Sequence, residues 1–167
     1  MNIPSENPSI ILSDDVTIAG NLMPLIFFSD GTLRWSNGGD ERRLILEKEV
    51  LGVSIDGSKI ILRCVVENGG GGFLCCVTTE TLVRKSFVFQ LPDDSVTVWF
   101  QKLREFINSL GRPKRLLVLV NPYGGQKAAL KIFVEIVKPL LKDAETEFTL
   151  KGPYFILALP VWLETCM

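Results

Sequence analysis

No histidine occurs in this 167-residue chain. That removes both the commonest general acid–base and the commonest metal ligand at neutral pH. Cysteine is sparse, with four residues at Cys64, Cys75, Cys76 and Cys166 and no C-x-x-C spacing. Adjacent Cys75 and Cys76 would point to opposite faces of a strand and are not expected to pair with each other. The thiols read as reduced, small core residues of a cytosolic protein. Long apolar runs are also missing. The longest, Tyr154–Leu163, is about half a bilayer span and contains Pro160, so no transmembrane helix is expected. The N-terminal "MNIPSENPS" lacks a basic region followed by an apolar stretch, so no secretory signal is expected. The expected location is the cytoplasm, including the periphery of intracellular membranes.

What is present points to a folded protein. At 47% hydrophobic and 22% charged residues, a sizeable core is available and bulk disorder is excluded. The formal charge of −1 hides an asymmetry. Residues 1–110 carry 10 Lys/Arg against 14 Asp/Glu, net −4, and residues 111–167 carry 8 against 5, net +3. The first part is a poor candidate for binding a phosphate backbone, so no nucleic-acid partner is expected. The second suits an anionic small ligand.

Residues 1–9 are polar and expected to be disordered. From Ile10 to Gln90, short apolar runs alternate with turn signals. Asp30-Gly31 and Asp56-Gly57 stand between apolar runs, and Asp-Gly supplies the positive φ angles of a type I′ hairpin. "SNGGD", Ser36–Asp40, marks a third turn. About seven strands result, among them "KIILRCVV", "FLCCVTT" and "SFVFQL", forming an antiparallel meander or small barrel. Then Val96, Trp99, Phe100, Leu103, Phe106, Ile107 and Leu110 recur at helical spacing. Asp93, Asp94 or Ser95 offers an N-cap, Gly111 a C′ residue, and Pro113 a stop. Strands followed by one Trp-bearing helix resemble a pleckstrin-homology-like (PH-like) domain over 10–110; an unrelated small β-barrel is the alternative.

After Gly111–Lys114 the fold class changes. "RLLVLV" is a continuous apolar strand, as parallel strands buried on both faces tend to be. A helix from about Gln126 to Leu141 places Ala129, Ile132, Phe133, Ile136, Val137 and Leu140 on one face, with Pro139 loosening its last turn. "EFTL", Glu147–Leu150, opens a second strand. This β-α-β unit begins an α/β, Rossmann-like domain, so the chain is α+β overall.

Two glycine-rich stretches bear on chemistry. "ENGGGG", Glu67–Gly72, lies between strands with no helix after it to aim amides at a phosphate, so it reads as a hairpin loop. "NPYGGQK", Asn121–Lys127, has a buried strand before it and a helix after it. Pro122 fixes φ, Gly124 and Gly125 let a phosphate approach the backbone, and the helix dipole adds positive potential. Asn121 offers an amide, and Lys127 either reaches a phosphate or is the first solvated helix residue. The Walker A pattern is absent. From these residues alone, nucleotide binding and a purely structural turn remain equally open.

The surrounding block, "GRPKRLLVLVNPYGGQKAALKIFVEIVKPLLKDAETEFTL" at Gly111–Leu150, closely resembles the first conserved block of sphingosine kinases, within the diacylglycerol-kinase-type superfamily. "ILSD", "LRW" and "KSFVF" look like the plant members, so the resemblance runs from Ile10 to Leu150. It implies transfer of the ATP γ-phosphate, with Mg²⁺, to the primary hydroxyl of a sphingoid base. It places Asn121, Pro122 and Tyr123 at nucleotide-contacting positions, with Gly124 and Gly125 in the same turn. It also departs from the family. The Gly-Asp-Gly motif that carries the family's base is absent, as are the later glycine-rich loop and the lipid-pocket domain. The expectation is a truncated sphingosine-kinase product, inactive alone, with catalytic-domain sequence at 111–150. The tail at 151–167 would be divergent and apolar, from an intron or frameshift, pairing beside "LLVLV"; a membrane anchor is the competing reading. Residues 10–110 would then serve as a non-catalytic docking or regulatory module for a protein or membrane surface.

Overall fold

The computed structural model describes residues 7–37, 40–67, 82–121 and 128–152. The chain divides into two compact units, Met1–Gly111 and Arg112–Met167. Both antiparallel and parallel sheet occur with helices, so the protein is mixed α+β.

The first unit holds seven strands: β1 (Ile10–Ile18), β2 (Asn21–Phe28), β3 (Thr32–Asn37), β4 (Asp40–Ile45), β5 (Val50–Asp56), β6 (Lys59–Glu67) and β7 (Leu82–Gln90). A one-turn helix, α1 (Leu46–Glu49), links β4 to β5. The strands pair antiparallel in the order β4-β3-β2-β1-β7-β6-β5. The sheet is open, with β4 and β5 as its edges, so the expected barrel does not close among the described residues. Its two halves join through one register pair, Thr17 with Gln90. "FLCCVTT" and the run of four glycines lie outside the described residues, and the strand Asp40–Ile45 was hidden within the charged run after "SNGG".

Alternation along the strands builds the core. Met23, Leu25 and Phe27 of β2, Leu33 and Trp35 of β3, and Ile60, Leu62 and Cys64 of β6 are all buried. Trp35 makes edge-to-face contacts with Phe87 at 5.5 Å and Phe89 at 5.4 Å, which brings β3 against β7 across the curled sheet. The amphipathic helix is α2 (Val96–Ser109), which buries Val96, Trp99, Leu103 and Ile107 against this core, with Phe100 and Phe106 partly buried. Ser95 is its N-cap but makes no side-chain cap bond, and its hydroxyl instead donates to the Pro92 carbonyl at 3.3 Å. Gly111 follows with φ of +65°, as a C′ glycine should. The Trp99 indole N–H donates to Asp14 Oδ2 at 2.6 Å, joining α2 to β1.

The turns differ in detail from the Asp-Gly expectation. Asp30 and Asp56 do not have positive φ, so neither Asp-Gly pair is a type I′ turn. Paired positive φ falls on Ala19 (+49°) and Gly20 (+85°), between the register partners Ile18 and Asn21. At the β2–β3 connection, Gly31 N–H donates to the Phe28 carbonyl at 3.0 Å with φ of +80° at Gly31. Asp30 Oδ1 accepts from Thr32 N–H at 2.9 Å. This is a three-residue loop with glycine in the left-handed position. At the N-terminal edge, Ser9 and Ser29 exchange two hydrogen bonds, at 2.8 and 3.0 Å.

The second unit is a β-α-β turn of chain. β8 (Arg115–Leu119) pairs in parallel with β9 (Glu147–Lys151). Between them run α3 (Ala129–Ile132), a π-helical turn (Phe133–Val137) and α4 (Lys138–Asp143). The π turn precedes Pro139, which has no N–H and whose ring crowds the carbonyl four residues back. The wider turn relieves that conflict, and Lys138 N–H accordingly bonds the Phe133 carbonyl. Its extra residue breaks the 3.6 period, so Ile132 and Ile136 are exposed while Phe133 is buried. The helix ends in a complete Schellman motif. Thr146 N–H reaches the Leu141 carbonyl at 3.0 Å, Glu145 N–H reaches that of Lys142 at 3.1 Å, and Glu145 has φ of +51°.

Two stability predictions follow from the first unit. A Cβ on Gly31 would lie 2.2 Å from Phe106 Cζ, at a φ that L residues rarely adopt. Gly31→Ala should therefore cost about 2–4 kcal/mol in urea unfolding. Adding Phe106→Leu should recover the steric part of that loss but not the backbone part. Burial, and then the neighbouring Glu49, push the Cys64 thiol up to about 12 from an ordinary value of 9.0. The unfolded thiol ionises first, so the contribution of Cys64 to stability is intact below pH 9 and falls as pH rises toward 12. Cys64→Ala should flatten that part of the stability–pH curve, and a variant retaining only Cys64 should react with a thiol reagent at pH 8 only after unfolding.

Candidate functional site

The glycine-rich turn starts where β8 ends. The β8–β9 register runs from Arg115 with Glu147 to Leu119 with Lys151, and Val120 N–H extends it to the Lys151 carbonyl at 3.0 Å. Glu147 N–H donates to the Lys114 carbonyl at 2.9 Å at the other end, and an exposed Arg115–Glu147 ion pair at 3.2 Å lies beside it. Asn121 is exposed immediately past the last ladder bond. The carboxyl ends of parallel strands, where strand gives way to helix, are where open α/β sheets bind ligands. Pro122, Tyr123, Gly124, Gly125 and Lys127 lie outside the described residues, and helix resumes at Ala129.

Among the described residues the packing of this unit is one-sided. Leu116 pairs with Phe148, and Phe148 meets Phe133 edge to face at 5.5 Å, so the helical segment covers that face of the strand pair. Leu117 and Leu119, on the opposite face, are 59% and 68% exposed. The expectation that β8 is buried on both faces is therefore not met. A single helix covers only one side of two strands, and parallel sheet is normally covered on both. Among the described residues, no group of three or more Cys, Asp and Glu side chains could hold a metal ion. No helix there is long and apolar enough to cross a membrane.

A second concave surface, on the first unit, was not singled out from sequence. The outward side chains of β2, β3 and β4 line a groove of about 230 Å³ bounded by Pro24, Ile26, Phe28, Arg34 and Glu41. Arg34 and Arg43 occupy directly opposed register positions, flanked by Ile26 on β2. The signal lay in the "SNGGD" turn. A hairpin centred on it pairs Asn37 with Asp40 and, three steps back, Arg34 with Arg43.

Comparison with known proteins supplies kinship. The chain is 42% identical over 161 residues to sphingosine kinase 2 of Arabidopsis thaliana, covering 92% of this chain and 33% of the relative. It is 42% identical over 143 residues to sphingosine kinase 1 of the same plant, covering 84% and 29%. The human ceramide kinase-like protein is 26% identical over 137 residues, covering 71% and 25%. The chain thus spans about a third of the length of these two curated sphingosine kinases. No family model and no solved structure matches it.

The uncovered face makes a testable prediction. Replacing Leu117 and Leu119 with Lys removes exposed apolar surface rather than core. The double variant should unfold within about 0.5 kcal/mol of the parent at each site, while binding less of a hydrophobic dye and staying soluble at higher concentration.

Proposed function

The chain is a sphingosine-kinase-like protein of the plant type, and on that premise we propose that it carries an N-terminal docking module and the first nucleotide-facing turn of an ATP-dependent sphingoid-base kinase. The observation that carries this reading is the position of Asn121, exposed just beyond the carboxyl end of a parallel strand and ahead of a helix. In this proposal Asn121, Pro122 and Tyr123 contact the nucleotide, and the backbone at Gly124 and Gly125 approaches a phosphate. Lys127 supplies a nearby positive charge. ATP would enter with its own Mg²⁺, for which no protein ligand is assigned here. The phosphoryl acceptor would be the primary hydroxyl of a sphingoid base.

Residues 1–167 contain no Gly-Asp-Gly. Phosphoryl transfer depends on positioning, charge neutralisation and a base, and this stretch provides one turn of that assembly. On its own it should bind ATP weakly and turn nothing over. The first unit suits a docking role. Its seven-strand order and following helix support the PH-like reading, and its net charge of −4 disfavours anionic lipid.

Calorimetric titration with ATP and Mg²⁺ should give a dissociation constant of millimolar order, about 4 kcal/mol, weakened further by Asn121→Ala. Complete absence of binding would remove the nucleotide-turn reading. Incubation with radiolabelled ATP, Mg²⁺ and sphingosine should yield no lipid phosphate; product that Asn121→Ala abolishes would refute inactivity of this stretch.

A further inference from the structure

The outer face of β2–β3–β4 carries a polar arrangement that folding alone does not require. Arg34 and Arg43 are directly opposed across two antiparallel strands, where like charges are destabilising. The Arg34 guanidinium lies over the Phe28 ring, 5.0 Å from its centre. Its Nε is buried without a hydrogen-bond partner, and an orphaned guanidinium donor calls for an acceptor. The counter-charge is Glu41, whose Oε1 stands 3.7 Å from Arg34 Nη1, with the two side chains 43% and 65% exposed. That contact is too long for a hydrogen bond and too exposed to contribute much.

We propose that this groove docks an extended acidic–apolar segment of a partner protein. One carboxylate would be held between Arg34 and Arg43, and a neighbouring apolar side chain would lie against Pro24, Ile26 and Phe28. Glu41 occupies the carboxylate position loosely and swings out when the partner arrives. Three observations select this occupant. The groove's 230 Å³ takes a side chain or two rather than a nucleotide. Its floor is apolar, and the polar pocket that adjoins it brings Arg34 and Arg43 together against the one carboxylate of Glu41, which matches an acidic–apolar sequence by charge complementarity. The unit around it is net −4, which repels an extended anionic bilayer more than a short segment that places one carboxylate at the two arginines. Asp15, opposite Pro24 on β1, makes the far rim acidic and sets a direction for the bound strand. The inference rests on the docking role proposed for the first unit.

The test uses the full chain and fluorescein-labelled peptides of alternating Glu–Leu, Gln–Leu and Lys–Leu, read by anisotropy. Glu–Leu should bind best, and salt should weaken it. Arg34→Gln and Arg43→Gln should each weaken it about five- to tenfold, with Arg34→Lys intermediate because the planar fork is lost. Glu41→Gln should tighten it about threefold. Circular dichroism of each variant checks that the sheet is retained, and the ATP titration should be unchanged by Arg34→Gln. Equal binding of Glu–Leu and Gln–Leu, or indifference to both arginine variants, overturns the proposal. Arginine-dependent binding to phosphatidylserine vesicles without peptide binding overturns it in favour of a membrane. Loss of the groove effect with ATP binding intact would refute this site and leave the kinase reading standing.

Discussion

The buried indole of Trp99 is the piece on which the N-terminal unit depends. A seven-strand sheet whose halves meet at one register pair has little ladder to hold its curl. Trp99 is fully buried, and its N–H needs an acceptor there. Asp14 supplies it from β1 at 2.6 Å. The bond therefore joins the helix to one half of the sheet, while α2 also packs along β5 in the other half. Gly31 belongs to the same arrangement, since the ring of Phe106 occupies the space where any other residue would have its Cβ. Turn, helix and strand are thus fitted to one another around the indole, and the outer face of β2–β4 remains available for another use.

The second unit is organised by the opposite condition. Among the described residues its parallel pair has one helical cover, centred on Phe133 against Phe148, and an exposed leucine face. The sphingosine kinases that the chain resembles are about three times as long. The resemblance at Gly111–Leu150 is one of kinship, and phosphoryl transfer itself depends on positioning, charge neutralisation and a base.

Much of this was legible residue by residue. The apolar spacing from Val96 to Leu110 located α2, and Gly111 marked its end with the expected positive φ. The run "KIILRCVV" located β6. Asp-Gly pairs located two of the turns but not their geometry, because loop length decides which residue takes positive φ, and Ala19-Gly20 took the primed conformation instead. Helical periodicity placed Ile132 and Ile136 on the buried face. The π turn ahead of Pro139 exposed them, since one missing N–H changes the phase of the whole stripe. For the candidate nucleotide turn, only Asn121 falls among the described residues.

Sequence was sufficient for kinship and for a mixed α+β chain, because these reside in local spacing and residue type. It could not show that Phe106 fills the space above Gly31 or that Trp99 meets Asp14, 85 residues away. Nor did it reveal that Arg34 lies over the Phe28 ring with one donor unpaired. Those depend on strand register and on which face each side chain takes, and a single-residue shift in register would reverse every one of them. Only the packed sheet decides that, because register is set jointly by turns, core volume and the helix that covers them.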